Sequence, residues 1–127
     1  MAPRLAEWLA DPVSGALDGV LAEEVSFYSP VTVYEGRADV MHIFAAMAAV
    51  LEDLAITRVA EDGAATISFV SARIDGMAID GIIDECVNAP GQLVEARLLL
   101  RPFDALRTAI AHMAERLEHH PLPSART

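Results

Sequence analysis

The stretch from Ala65 to Pro102 constrains the fold more than any other part of the chain. It reads as strand, turn, strand, turn, strand. Ala65–Ile74 is rich in strand formers and ends at Asp75–Gly76, a dipeptide suited to a two-residue hairpin because both residues tolerate positive φ. Met77–Val87 forms the next strand, Asn88–Gly91 a tight turn, and Gln92–Arg101 a further strand. Strands joined by turns this short pair antiparallel. Such a ribbon needs other strands beside it and helices across one face to bury its apolar side.

The rest of the chain supplies both. Leu5, Trp8 and Leu9 fall at helical spacing over residues 4–10, and Asp11–Pro12 ends that helix because proline disfavours helical backbone at the residue before it. Val13 to Leu21 reads as a second short helix. The run EEVSFYSPVTVYEGR then gives a short strand, a kink at Ser29–Pro30 and a second short extended piece stopped by Gly36. From Ala38 to Leu51 the period changes: Val40, Ile43, Phe44, Met47, Val50 and Leu51 form the stripe of a helix with one buried face. Leu54–Ala60 is a strand, with a turn at Glu61–Gly63. Pro102 opens a last helix, since proline fits the first helical turn, with Phe103, Leu106, Ile110, Met113 and Leu117 as its stripe. Residues 1–117 are expected to form a single domain and residues 118–127 a disordered tail. The order predicts an α+β domain with helices on one face of a curved antiparallel sheet.

Composition narrows the partners. The formal net charge is −10, with 19 acidic residues against 9 basic ones and no lysine. That sign repels phosphate backbones and anionic lipid surfaces, so neither nucleic acid nor membrane is an expected partner. No apolar run approaches the ~18 residues of a membrane span, and the first residues lack the apolar core of a signal peptide. A cytoplasmic location is expected. The one cysteine, Cys86, lies in an apolar strand and reads as a small buried hydrophobe.

Asp80 and Asp84 are the leading candidates for chemistry. They stand two alternations apart on one strand, about 7 Å by strand rise, and so share a face. A carboxyl group among apolar side chains resists ionisation, as a general acid near neutral pH requires. The structural reading beside it places Asp80 in a solvated turn region and pairs Asp84 with an arginine, Arg73 or Arg97, on a neighbouring strand. The histidines, His42, His112, His119 and His120, show no metal-ligand spacing, and the glycines sit at turns rather than in a phosphate loop. No metal and no cofactor is expected.

The run LAEEVSFYSPV, then YEGR before a helix, DGMAIDGIID, and GQLVEARLLLRPF resembles the nuclear transport factor two-like superfamily, in its SnoaL-like and ketosteroid isomerase-like branch. The resemblance spans about residues 5–117. It implies a cone: a curved sheet, a cystatin-like roll, wrapped around a long helix, an apolar pocket at the open end, and a homodimer packed through the convex sheet face. Phe27, Ser29, Tyr34, Phe44, Met47 and Trp8 are the pocket residues expected with it, Asp80 joins them from its place on the strand, and Asp84 is the candidate catalytic carboxyl. Ketosteroid isomerase carries its general base directly before the proline of the first strand, and Ser29 stands there. Its oxyanion-hole tyrosine matches Trp8, and its protonated aspartate matches Asp84. Limonene epoxide hydrolase would need an arginine at Ile82 and an aspartate at Pro102; only Asp84 matches. Neither of these two activities is therefore expected. The expectation is a binding pocket for a small apolar ligand, with isomerase, cyclase or hydratase chemistry at Asp84. The alternative is a non-catalytic dimerisation or partner-binding domain that has lost the family's catalytic residues. Whether the chain is an enzyme is left open by its residues.

Overall fold

At Asp75 and Gly76 the backbone takes φ of 49° and 79°, both positive, as a type I′ turn requires. In the computed structural model, which describes residues 3–13, 15, 17 and 19–125, this turn joins β4 (Ala65–Ile74) to β5 (Met77–Val87) and sets Ile74 opposite Met77. Asn88 closes the next turn: its Oδ1 accepts the Gln92 amide at 2.8 Å. β6 (Leu93–Arg101) then runs back along β5. With β1 (Leu21–Tyr28), β2 (Val33–Glu35) and β3 (Glu52–Asp62), these make a six-stranded sheet in the order β2-β1-β6-β5-β4-β3. Neighbours joined by a short turn pair antiparallel. β1 and β6, separated by about half of the chain, meet as a parallel pair. The sheet is curved and stays open, with β2 and β3 as its edges.

The helices α1 (Arg4–Ala10), α2 (Arg37–Val50) and α3 (Phe103–His119) cover one face. On α2 the expected stripe is the buried one: Val40, Ile43, Phe44 and Met47 are all at most 5% exposed. Phe44 meets Phe27 of β1 edge to face, 4.9 Å between centroids. Burial of side chains this size contributes about 1.5–3 kcal/mol each, so this contact anchors the long helix on the sheet.

Alternation sorts the strand residues. Ile79, Ile83 and Glu85 of β5, Ala96 and Leu98 of β6, and Val25 and Phe27 of β1 are buried beneath the helices. Asp80, Ile82 and Asp84, with Arg97, Leu99 and Arg101 opposite them, form the outer face. Gly81 belongs to the inner row. A Cβ there would overlap the Leu99 carbonyl oxygen of β6, so glycine is required where the two backbones come closest.

Two expectations change. The second helix over Val13–Leu21 is not formed by the described residues of that span. Gly15, Leu17, Gly19 and Val20 lie in turns, and Leu21 opens β1. Gly15 and Gly19 take positive φ, which a right-handed helix excludes; Ser14, Ala16 and Asp18 lie outside the described residues. Nor is 118–125 a free tail. Leu122 packs against the core. Ser124 gives its amide and its hydroxyl to the two oxygens of Asp39, at 3.0 and 2.6 Å. His42 Nε2 lies 2.7 Å from the His120 carbonyl oxygen. The residues of this tail expectation at 126–127 lie outside the described ones. No helix among the described residues is long and apolar enough to cross a membrane.

Candidate functional site: an apolar cavity under the C-terminal helix

Where β1 ends, the sheet, α2 and α3 part around a cavity of about 170 Å³. Phe27, Leu98 and Leu100 form its floor on the inner face of the sheet. Ile43, Met47, Val50 and Leu51 supply the α2 wall. Leu106, Ala109, Ile110, Met113, Ala114 and Leu117 of α3 close the top, and Ser29, Pro30, Val31 and Tyr34 stand at the β1–β2 turn. The apolar stripe expected on α3 therefore lines a hollow rather than filling a core. Only Ala105 and Ala109 of α3 are buried, and Phe103 at its start is 71% exposed.

Among the described residues, Ser29 and Tyr34 are the only lining ones with polar side chains. The Ser29 hydroxyl donates to the Thr32 carbonyl oxygen at 2.8 Å and accepts the Val31 and Thr32 amides at 3.1 and 3.0 Å. One donor and two lone pairs are thereby used, so the turn consumes this hydroxyl completely. Tyr34 stacks on Phe27 at 6.4 Å between centroids. Burial pushes its phenol above the usual value, so it stays protonated.

The expected site residues divide sharply. Phe27, Ser29, Tyr34 and Met47 line the cavity. Phe44 is fully buried behind Phe27 and does not reach it. Trp8 lies elsewhere: it borders a groove with Arg4, Glu7, Asp11 and Ile56, and its indole N–H donates to the Val13 carbonyl at 3.0 Å. Asp80 and Asp84 do share a face, but it is the outer one. Asp80 is half-exposed and pairs with Arg101 at 3.2 Å. Asp84 sits 4.0 Å from Arg97, whose guanidinium lies over the Tyr28 ring at 4.5 Å. The whole sheet separates Asp84 from the cavity, so it is corrected from a pocket carboxyl to an outer-face one. Its Oδ1 is buried with no hydrogen-bond partner among the described residues.

The buried acid is the next residue. Glu85 is 3% exposed and accepts the backbone amides of Leu5 at 2.8 Å and Ala6 at 3.1 Å, one on each oxygen. Pro3, the N-cap of α1, offers no side-chain cap, so a carboxylate 80 residues away caps that helix instead. Burial raises the Glu85 pKa and outweighs the two amide bonds that lower it. Glu85 does not line the cavity; its position is that of a clasp between β5 and α1. Sequence reasoning passed over it, although the row Ile79, Ile83, Glu85 is the more apolar of the two alternating rows. Cys86, back on the outer face, has its thiol pushed up by burial and by Asp84 and Glu95.

A polar cleft lies beyond Val50, between α3 and the β4–β5 turn. There His112 Nε2 meets Asp75 Oδ2 at 2.8 Å, which raises the histidine pKa. No group of His, Cys, Asp and Glu among the described residues is arranged to hold a metal ion.

No protein-family model matches the sequence, and no curated protein does. Solved structures do match. A steroid delta-isomerase from Pseudomonas aeruginosa is 27% identical, covers 92% of this chain and 90% of its own, and superposes with a TM-score of 0.84. A protein with a cystatin-like fold from Silicibacter pomeroyi is 19% identical over 91% of this chain and 83% of its own, also at 0.84. A protein with a ketosteroid isomerase-like fold from Catenulispora acidiphila, in complex with trimethylamine, is 14% identical over 86% and 94%, at 0.65. The chain therefore has the ketosteroid isomerase-like fold of the nuclear transport factor two-like superfamily, as its sequence motifs anticipate.

Proposed function

We propose that this chain is a binding protein for small apolar molecules, with the cavity beneath α3 as its site. The observation that carries this reading is the lining. Of its two polar side chains one is already saturated by its own turn and the other is a phenol kept neutral. An apolar hollow of this kind gains from filling with an apolar ligand and holds ordered water poorly. Acid–base chemistry needs a titrating group within hydrogen-bond reach of the substrate. Asp84 is on the wrong side of the sheet, and Ser29 stands where ketosteroid isomerase carries its base. Steroid isomerisation, the activity named for the Pseudomonas neighbour, is not carried over. The test is Ala109→Leu, which adds a branched side chain inside the cavity. Apolar ligands that raise the Tm of the parent chain should bind this variant at least tenfold more weakly. Unchanged binding in a folded variant removes the cavity as the site.

A homodimer through the outer sheet face is the second part of the proposal. A chain carrying −10 repels its own copy, yet this face mixes signs. Arg97 stands opposite Asp84 and Arg101 opposite Asp80, while Arg58 stacks on Phe69. Between them Leu99 is 52% exposed. A two-fold interface meets itself, so it needs both signs around an apolar centre. Sedimentation velocity should show a dimer for the parent chain and a monomer for Leu99→Arg; a monomeric parent chain at tens of micromolar would sink this part.

A further inference from the structure

The cavity's size and its single unspent polar group define a narrower ligand class. We infer that the ligand is a neutral molecule with one ring, or an equally compact branched skeleton, carrying one hydroxyl or carbonyl group that Tyr34 addresses. The inference rests on the cavity being a ligand site, as proposed above.

Three observations carry it. The first is volume. About 170 Å³ is close to the ~150 Å³ of an apolar cavity that takes up benzene. A skeleton of roughly six to ten carbons fits that space. A four-ring skeleton exceeds that volume. The second is charge. None of the lining side chains is ionised: Tyr34 is the one titratable group, and burial holds it as the neutral phenol. A charged ligand would leave water with nothing to replace its hydration. The third is polarity. Ser29 has no free donor or lone pair, which leaves the Tyr34 hydroxyl as the one side chain able to donate to, or accept from, a ligand oxygen. Among the described residues that hydroxyl has no hydrogen bond of its own. A site with one such group selects for one matching function, because a second polar group on the ligand would be buried unpaired.

The experiment is a binding panel read by isothermal titration and ligand-observed NMR on the full chain. It uses toluene, cyclohexanol, benzoate and a four-ring steroid ketone, each against the parent chain, Tyr34→Phe and Ala109→Leu. The expected order is cyclohexanol tightest, toluene next, and benzoate at least tenfold weaker than cyclohexanol, with no binding of the steroid. Tyr34→Phe should cost cyclohexanol three- to tenfold and leave toluene unchanged; Ala109→Leu should weaken both. Steroid or benzoate binding that Ala109→Leu abolishes would overturn this ligand class while leaving the cavity as a ligand site. A cyclohexanol affinity that Tyr34→Phe does not change would overturn the role of the phenol. If no member binds, or if binding survives Ala109→Leu, the cavity is not the site and the underlying reading fails with the inference.

Discussion

Asp84 and Glu85 are chain neighbours on β5 with opposite fates. Glu85 points in, is buried, and spends both oxygens on the amides of α1. Asp84 points out, lies beside Arg97, and keeps one oxygen without a partner among the described residues. The pleat alone decides which carboxylate becomes part of the core. The inner carboxylate is structural because a second element depends on it. The outer one is available because none does. The two faces of this sheet thus divide the work: the inner one holds helices and encloses a cavity, the outer one presents charge and a few apolar side chains.

The comparison breaks first at Gly81. Alanine there would drive a methyl group into the Leu99 carbonyl, forcing β5 and β6 apart. The expected loss is about 3 kcal/mol or more in urea unfolding, at the upper end for overpacking. Ordinary stability for Gly81→Ala would mean the two strands do not approach as closely as described. Glu85→Ala comes next. It strands two amides of α1 beneath the helix, each worth about 1–3 kcal/mol when left unpaired, and the early amides of α1 should exchange with solvent far faster. Asp84→Ala, one residue away, removes no hydrogen bond among the described residues. It should change monomer stability by no more than about 0.5 kcal/mol. Equal losses for Glu85→Ala and Asp84→Ala would collapse the division between the faces.

Much of this was legible in the sequence, and the exceptions share a cause. The Asp75–Gly76 turn fixed the register of β4 on β5, because few residue pairs accept two positive φ angles. The stripe from Val40 to Met47 gave the buried face of α2. What failed was the choice between two alternating rows. Ile82 and Ile83 flank Asp84 along the chain, but only Ile82 shares its face. Comparing Asp80, Ile82, Asp84 with Ile79, Ile83, Glu85 would have marked the second row as inward. Matching positions puts Trp8 in the pocket, whereas α1 holds it at a different groove. The bonds from Asp39 to Ser124 and from His42 to His120 join residues some 80 positions apart, and no local pattern announces them. The cavity was equally hidden: the stripe of α3 has the same spacing whether it packs against a core or surrounds a hollow.

The smallest expected effect separates a buried acid from an exposed ion pair by pH. The Glu85 pKa is raised in the folded chain above its ordinary 4.5, chiefly by burial. A raised acid contributes stability that is fully present below the unfolded pKa and lost as pH climbs through the folded one. His112 is raised above its ordinary 6.5, chiefly by its hydrogen bond to Asp75. Its contribution likewise is complete below the unfolded value and fades as pH rises past the folded one. Stability should therefore fall in two steps on going from acid to alkaline, the first beginning above pH 4.5 and the second above 6.5. Glu85→Gln should flatten the first step alone. Asp75→Asn should flatten the second alone, and 1 M salt should weaken the second without touching the first, since His112 and Asp75 face solvent and Glu85 does not. Denaturation midpoints across pH 4–9 read all of this. If salt erases both steps, the Glu85 carboxylate is not shielded from solvent, and the contrast with its neighbour fails at its root.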